Sequence, residues 1–178
     1  MTEFRSTTIC AVKRDDIIVI GGDGQVTMGQ TVVLKNNAVK IKRLYNDEVV
    51  IGFAGSVSDA FALSDKFEKM LQKYSGNLTR SAVELAQLWR EDKVARKLDA
   101  MMIVADKKNL LIVSGTGEVI EPEAGVCAIG SGGNYALAAA RALYANTNLS
   151  AKEIVTKSLI VASELCVFTN SNLTVEVV

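Results

Sequence analysis

The sequence contains no histidine, and this absence limits the catalytic machinery that the chain could carry. Without an imidazole there is no Ser-His-Asp triad and no Cys-His pair, so a nucleophile needs another general base. The three cysteines, Cys10, Cys127 and Cys166, are isolated and form no C-x-x-C pair. This spacing, together with the lack of histidine, argues against a zinc site and fits a reducing cytoplasm, which is the location we expect.

Long apolar runs and an excess of charge are also missing. No hydrophobic stretch reaches the length of a membrane-spanning helix, and the first six residues are too short and too polar for a secretory signal. Twenty basic and twenty acidic residues cancel, which argues against a large basic surface for nucleic acid. A hydrophobic content of 49% over 178 residues predicts one packed domain with a sizeable core.

The apolar pattern predicts strands and helices in alternating blocks. Strands are predicted at residues 7–14, 17–20, 31–34, 38–44, 49–53, 100–105, 110–114 and 173–178. Helices are predicted from Ser58 to about Gly76, from Leu78 to Leu98, from the 130–133 turn to about Tyr144, and from a capping box at Ser150 and Glu153. Pairs of helices between blocks of strands predict an α+β fold, a four-layer αββα sandwich with two sheets between helical layers.

Thr7 is the strongest candidate for a nucleophile in a chain without histidine. A threonine with a free α-amine at the chain start carries its own general base, with an ordinary pKa of about 7.7–8.0. We therefore predict that residues 1–6 are a leader removed on maturation and that residues 7–178 are the single mature domain. One alternative is an ordinary ragged terminus, which leaves the nitrogen of Thr7 in a peptide bond. Another is a misassigned start site.

Asp23 and a lysine of the 40–43 segment are candidates to support Thr7. A hairpin followed by the Gly-Asp-Gly turn can bring Asp23 close to Thr7, where a buried carboxylate would orient the hydroxyl and amine or hold a cation. The alternative is that Asp23 only shapes the turn. Strand alternation places Lys40 and Lys42 on one face, and either ammonium could lower the pKa of the nucleophile, or both could lie on a solvated edge.

Two glycine-containing segments complete the candidate residues. Gly52 begins a Gly-Phe-Ala-Gly sequence after an apolar strand, where its N–H could be an oxyanion donor or where the glycines could only form a strand-to-helix turn. The 130–133 segment lies between a strand and a helix and lacks both the Walker A lysine and the G-x-G-x-x-G spacing. A tight turn that brings Ser131 near an active centre therefore explains it better than a phosphate cradle does.

These segments, in this order, resemble the bacterial proteasome-like peptidases, which are N-terminal-nucleophile hydrolases related to proteasome β-subunits. The resemblance runs from Thr7 to about Val178. It rests on Thr7-Thr8-Ile9, Gly22-Asp23-Gly24-Gln25, Lys40 before Arg43-Leu44, Gly52-Phe53-Ala54-Gly55 and Ala128 to Gly133, and it includes the stretches 43–47 and 82–86. It implies the αββα fold and a threonine-type endopeptidase.

The resemblance also implies a role for each candidate residue. Thr7 matches the catalytic threonine, whose Oγ attacks the peptide carbonyl while its α-amine takes the hydroxyl proton directly or through water. Asp23 and Lys40 match the supporting acid and the pKa-tuning lysine, which favours Lys40 over Lys42. Gly52 matches the oxyanion donor, and Ser131 matches a serine that forms hydrogen bonds near the nucleophile. The implied cycle forms an ester on Thr7 that water then hydrolyses.

Further implications concern a cation and partners. Ser163, Cys166 and Thr169 match positions whose backbone carbonyls bind a structural cation in the family, Na⁺ or else Mg²⁺, although many relatives have glycine where this chain has Ser163. The family assembles as a double ring of two hexamers capped by a hexameric AAA+ ATPase, which unfolds protein substrates and feeds them inside. ATP would act only through that partner, because the chain has no nucleotide-binding motif of its own.

Two other functions and a second nucleophile stay open at the level of sequence. A small-molecule amidase could use the same fold, and it would need neither ring assembly nor stimulation by an ATPase. A catalytically silent ring subunit would retain residues 1–6 in the mature protein, although the joint presence of Thr7, Asp23 and Lys40 weighs against it. Ser6 could serve as the nucleophile, because serine does so in some relatives.

Overall fold

Short antiparallel strands and four helices make up the computed structural model, which describes residues 4–5, 7–29, 31–55, 57–91 and 100–178. The strands are β1 (Phe4–Arg5), β2 (Thr8–Arg14), β3 (Ile17–Asp23), β4 (Val26–Met28), β5 (Val32–Lys35), β6 (Ile41–Leu44), β7 (Val49–Ala54), β8 (Met101–Ala105), β9 (Leu110–Ser114), β10 (Val119–Ile120), β11 (Val126–Gly130) and β12 (Leu173–Val177). The helices are α1 (Val57–Lys73), α2 (Leu78–Glu91), α3 (Gly133–Asn146) and α4 (Ala151–Leu165).

Two of the sheets stack face to face between the helices. One has the strand order β10-β9-β8-β7-β6 and the other has the order β11-β2-β3-β12. An apolar cluster that includes Ile9, Ile20 and Ile103 fills the space between them. Helices α1 and α2 pack around Trp89 on the outer face of the five-stranded sheet, and α3 and α4 cover the outer face of the other. The predicted αββα sandwich is therefore confirmed.

A third, smaller sheet lies beside the sandwich and has the order β1-β4-β5. Phe4 pairs with Met28 and Arg5 pairs with Thr27, so the segment before Thr7 runs antiparallel to β4. All four residues of β5 are exposed, including three large apolar side chains. The sequence analysis anticipated β5 but not β4, which is only three residues long.

Several element boundaries differ from the predicted ones. The strand expected over 38–44 begins at Ile41, so Lys40 precedes it. Ser58 is not an N-cap, because α1 already begins at Val57. Leu98, the predicted end of the second helix, lies outside the described residues. The capping box at the start of α4 is confirmed, since Ser150 Oγ accepts from the Glu153 N–H and the Glu153 carboxylate accepts from the Ser150 N–H.

The three cysteines are largely inaccessible to solvent. Cys10, Cys127 and Cys166 are all buried and unpaired. Burial raises the pKa of the Cys10 thiol to about 12, and it also raises the pKa of Cys127. Both thiols therefore behave as small apolar groups rather than as nucleophiles. No helix in the described part of the chain is long and apolar enough to cross a membrane.

Candidate active site

Asp23 lies at the end of β3 and is the centre of a buried hydrogen-bond cluster. The β2–β3 hairpin pairs Ile9 with Gly22, which brings Asp23 beside the first residues of β2. Its Oδ1 accepts from the Thr8 N–H at 2.8 Å, and its Oδ2 accepts from the Gln25 N–H at 2.9 Å. Only 1% of Asp23 is exposed. A buried carboxylate needs such donors, so its orientation next to Thr7 and Thr8 is fixed.

Lys40 completes an ion pair with this carboxylate. Its Nζ lies 2.8 Å from Asp23 Oδ1, and 8% of its side chain is exposed. Lys42, by contrast, is 46% exposed and 4.0 Å from the surface carboxylate of Asp65. The structure therefore separates the two lysines, which their local spacing in the sequence does not distinguish. Burial lowers the pKa of Lys40 below its ordinary value, and the nearby charge of Asp23 opposes this effect.

The turn between β11 and α3 holds Thr7 from the other side. The Ser131 N–H donates to the Thr7 carbonyl oxygen at 2.8 Å. Gly130 has φ of +90°, and a Cβ placed on it would lie 1.8 Å from that same oxygen. Only glycine permits both the left-handed backbone and this close approach. Ser131 therefore lies next to Thr7, as predicted, and its contact is made by the backbone N–H.

Thr8 was not singled out by the sequence analysis, yet its side chain joins two distant segments at this site. Its Oγ1 accepts from the Gly132 N–H at 2.9 Å and lies 2.7 Å from Thr169 Oγ1. Thr8 is fully buried, and Thr169 is 4% exposed. A Cβ on Gly132 would lie 2.4 Å from Thr8 Oγ1, so glycine is required there as well. The sequence feature that could have indicated this role of Thr8 is the pair of successive threonines at the start of a strand.

Gly52 does not occupy the position expected of an oxyanion donor. It lies inside β7, paired with Ile41 on one side and Ile103 on the other. On the β6 side, the Phe53 N–H donates to the carbonyl oxygen of Lys40, the residue before β6, at 3.2 Å. Because successive N–H groups of a strand point in opposite directions, the Gly52 N–H points toward β8. This geometry argues against the predicted role.

Packing explains why residue 52 is glycine. A Cβ there would lie 2.6 Å from Ile9 and 3.1 Å from Ile41, within the apolar layer between the sheets.

The end of β7, rather than Gly52, approaches Thr7. A Cβ placed on Gly130 would lie 1.8 Å from the Thr7 carbonyl oxygen and 3.3 Å from the Ala54 Cβ, so Ala54 and Thr7 lie on either side of the same point. Gly55 follows Ala54 and has φ of +148°.

The three predicted cation ligands lie around the end of α4. Ser163 is in the last turn of the helix, Cys166 is its C-cap, and Thr169 follows in the next loop. The Cys166 carbonyl accepts from the Thr169 N–H at 3.0 Å, which leaves its second lone pair available. Carbonyls at a helix end are acceptors without helical partners. In the described part of the chain, no group of three His, Cys, Asp or Glu side chains could hold a metal.

The arrangement as a whole places a buried ammonium, a buried carboxylate and several backbone N–H groups around the junction of Thr7 and Thr8. Thr7 itself is 5% exposed. Ser6, the second candidate nucleophile, lies outside the described residues. A threonine held this rigidly beside a lysine could act as a nucleophile if its own nitrogen were free to accept a proton.

Comparisons with known proteins agree with this geometry. The sequence pattern of the family described as "Proteasome subunit" matches residues 3–178. An ATP-dependent protease subunit HslV from Caldanaerobacter subterraneus subsp. tengcongensis is 61% identical over 173 residues, which cover 97% of this chain and 98% of the relative. Another HslV, from Enterococcus faecalis, is 58% identical over 177 residues, with 98% and 97% covered.

Solved structures give the same result. The crystal structure of eukaryotic HslV from Trypanosoma brucei superimposes with a TM-score of 0.90 at 46% identity, covering 96% of this chain and 98% of that one. BPH from Thiobacillus denitrificans superimposes with a TM-score of 0.76 at 20% identity, covering 96% and 97%. At that identity the second match supports only the fold.

Proposed function

Since the chain belongs to the proteasome family of threonine peptidases, we propose that Thr7 is its nucleophile once residues 1–6 have been removed. Full-length similarity to HslV subunits makes it a proteolytic subunit of an ATP-dependent protease. The observation that carries the assignment of Thr7 is the buried cluster in which Asp23 Oδ1 lies 2.8 Å from both the Thr8 nitrogen and the Lys40 Nζ.

The proposed reaction begins with attack of Thr7 Oγ on the carbonyl carbon of a peptide. The α-amine of Thr7 takes the hydroxyl proton and passes it to the departing amine as the C–N bond breaks. The acyl group is then bound to Thr7 as an ester. Water, deprotonated by the same amine, attacks this ester; the bond between the acyl carbon and Oγ breaks, the amine returns the proton to Oγ, and the product leaves as a carboxylic acid. No histidine is needed at any step.

Lys40 and Asp23 would act as a fixed pair next to this chemistry. The positive charge of Lys40 favours the ionised form of the Thr7 hydroxyl and disfavours protonation of the α-amine, so both groups become more reactive near neutral pH. Asp23 holds the ammonium in place and fixes the start of β2 through the Thr8 N–H.

Backbone N–H groups are the proposed oxyanion donors. We place this role at the end of β7, at Gly55, because the Ala54–Gly55 segment approaches Thr7 whereas the Gly52 N–H points toward β8. Ser131 supports the nucleophile by fixing the Thr7 carbonyl. Preorganised N–H donors of this kind are often the largest electrostatic contribution to acyl transfer.

An extended peptide is the substrate conformation that the small sheet favours. In the described chain, residues 4–5 pair with β4, and their removal would leave the backbone N–H and C=O groups of β4 that face β1 unpaired. A substrate strand could then pair with β4 and present its scissile bond to Thr7, which gives affinity without strict sequence preference.

Assembly and cofactors are further parts of the proposal. We expect a double ring of two hexamers, an HslU-type AAA+ hexameric ATPase that delivers unfolded protein substrates, and a cytoplasmic location. The carbonyls of Ser163, Cys166 and Thr169 would hold a structural cation, Na⁺ or Mg²⁺, since hard cations prefer oxygen ligands. Such an ion would stabilise the loop that carries Thr169, and ATP would act only through the ATPase.

The direct test of this proposal is the intact mass of the purified protein, with N-terminal sequencing of the same sample. Loss of residues 1–6, with threonine as the first residue, is the expected result, together with peptide hydrolysis. An active sample that retains its leader would contradict the free-amine mechanism. An inactive ring that retains it would instead support the silent-subunit alternative.

The pH profile of kcat should show the loss of the Lys40 proton at alkaline pH. Activity should rise as the α-amine loses its proton and then fall at alkaline pH, through an apparent pKa below the ordinary 10.5 of lysine, because burial lowers the pKa of Lys40. Lys40→Arg is the matched control: its guanidinium keeps its charge to above about pH 12, so the alkaline fall should disappear even if kcat is reduced. If kcat of Lys40→Arg falls at the same alkaline pH as kcat of the unmodified protein, the fall is not caused by Lys40.

A further inference from the structure

The segment that carries Lys40 is not part of any strand. Residues 36–40 connect β5 to β6, and Asn36 and Asn37 are exposed. Two backbone hydrogen bonds connect this segment to its neighbours. The Ala38 N–H donates to the Gly24 carbonyl oxygen at 2.8 Å, and the Lys40 carbonyl oxygen accepts from the Phe53 N–H at 3.2 Å. These two bonds leave the start of the segment, at Asn36, without a backbone anchor, and side-chain contacts there would help to hold the ammonium 2.8 Å from the buried carboxylate.

Two asparagines of the loop after α4 supply those contacts. Asn170 Nδ2 and Asn172 Nδ2 each donate to the Asn36 carbonyl oxygen at 2.9 Å. The Asn170 Oδ1 accepts from the Gly24 N–H at 3.2 Å and from the Asn172 N–H at 3.1 Å. In addition, the Asn170 N–H donates to Asp23 Oδ2 at 3.3 Å. Asn170 therefore joins the Asp23 turn, the Lys40 segment and its own loop.

We propose that Asn170, assisted by Asn172, is a positioning residue that keeps Lys40 on Asp23 by clamping the Asn36 carbonyl to the Asp23–Gly24 turn. This inference rests on the proposed role of Lys40 in the function of Thr7. The hydrogen bonds of Asn170 described above go to Asp23, Gly24, Asn36 and Asn172, so its effect is exerted through the position of Lys40. Its effect should therefore be on the rate of the chemical step rather than on substrate binding.

Close packing makes the clamp effective. A Cβ on Gly24 would lie 2.6 Å from the Asn36 carbonyl oxygen and 2.9 Å from the Asn37 Cα, so the turn and the segment meet backbone to backbone. A shift of Asn36 cannot be taken up by a flexible side chain in between. It would move the backbone that leads to Lys40, and a displacement of about 1 Å at a catalytic group can reduce the rate about 100-fold.

The test compares variants of the assembled, leader-free protein, with kcat expressed per active site from the burst of first product. Asn170→Ala should lower kcat about tenfold and change KM less than about twofold, because one amide still holds Asn36. The double variant with Asn172→Ala should lose about 100-fold. Asn170→Asp, which keeps the accepting oxygens but has no amide hydrogen, should behave like Asn170→Ala.

Two controls separate this inference from the proposed function. Asn146→Ala removes an amide that donates within α3 to the Ala142 carbonyl, and it should leave kcat unchanged. Lys40→Ala is measured in parallel: if it keeps full activity, the proposed function itself fails at Lys40. If Lys40→Ala is inactive while the double asparagine variant keeps the original kcat, the clamp alone is overturned. Wild-type kcat in Asn170→Asp would also overturn it.

Discussion

Replacing Thr7 with alanine is expected to abolish peptide hydrolysis and leave the oligomeric assembly intact. The comparison is made between two chains in which residue 7 directly follows the initiator methionine, so that leader removal does not depend on activity. Loss of the nucleophile should lower kcat/KM by at least about 10³-fold. The change removes only a hydroxyl and a methyl group, so the mass of the assembly measured by light scattering should not change.

Two substitutions test whether the effect belongs to the Thr7 hydroxyl. Thr7→Ser keeps a hydroxyl and a free amine, and we expect measurable activity from it. Thr31→Ala makes the same chemical change at an exposed position and should be indistinguishable from the unmodified chain. Substantial hydrolysis by Thr7→Ala would show that another residue performs the attack. That residue could not be Ser6, because these chains lack it.

Gly130→Ala should produce the second-largest effect, although position 130 carries no reactive group. The added Cβ would lie 1.8 Å from the Thr7 carbonyl oxygen, and the backbone at φ +90° is strained for any residue but glycine. The strain alone should lower the free energy of unfolding by about 1–3 kcal/mol. Displacement of Thr7 should reduce kcat/KM by about 100-fold or more.

Gly133→Ala is the matched control for this substitution. Gly133 is the first residue of α3, and a Cβ there would meet its nearest neighbours at ordinary contact distances of 3.5 and 3.6 Å. Alanine also favours helix over glycine, so stability should be equal or slightly higher. Thermal unfolding and peptide hydrolysis of both variants are the measurements. Equal behaviour of the two would mean that the turn at 130 adapts and that Thr7 does not depend on it.

The layers of the fold could be predicted from the sequence, whereas the residues at which several strands begin and end could not. Paired amphipathic helices between blocks of apolar strands are consistent with few architectures, and the αββα sandwich is one of them. The limits depend on tertiary contacts. The run before Ile41 has the apolar alternation of a strand, yet Lys40 turns inward to Asp23 and the ladder begins one residue later.

In the site, likewise, a contact between residues close in sequence could be predicted, whereas a contact between residues far apart in sequence could not. Thr7 and Asp23 could be connected because one hairpin brings them together. Asn170 could not be found in this way, since it contacts Asp23 from 147 positions away. Gly52 was misleading because a glycine signals close approach without saying what approaches, and here isoleucine side chains fill the space.

The contacts around Thr7 and Thr8 have a consequence for the proposed removal of residues 1–6. Ser131 holds the Thr7 carbonyl, and Asp23 and Gly132 hold the amide and hydroxyl of Thr8, so each of these anchors lies on the C-terminal side of the bond that joins residues 6 and 7. Under the proposed removal of residues 1–6, Glu3 and Arg5 leave together and the side-chain charge does not change. Activation is then a change in one nitrogen, from an amide that cannot accept a proton to an amine that can. The oligomer could assemble completely while inert and become active without refolding.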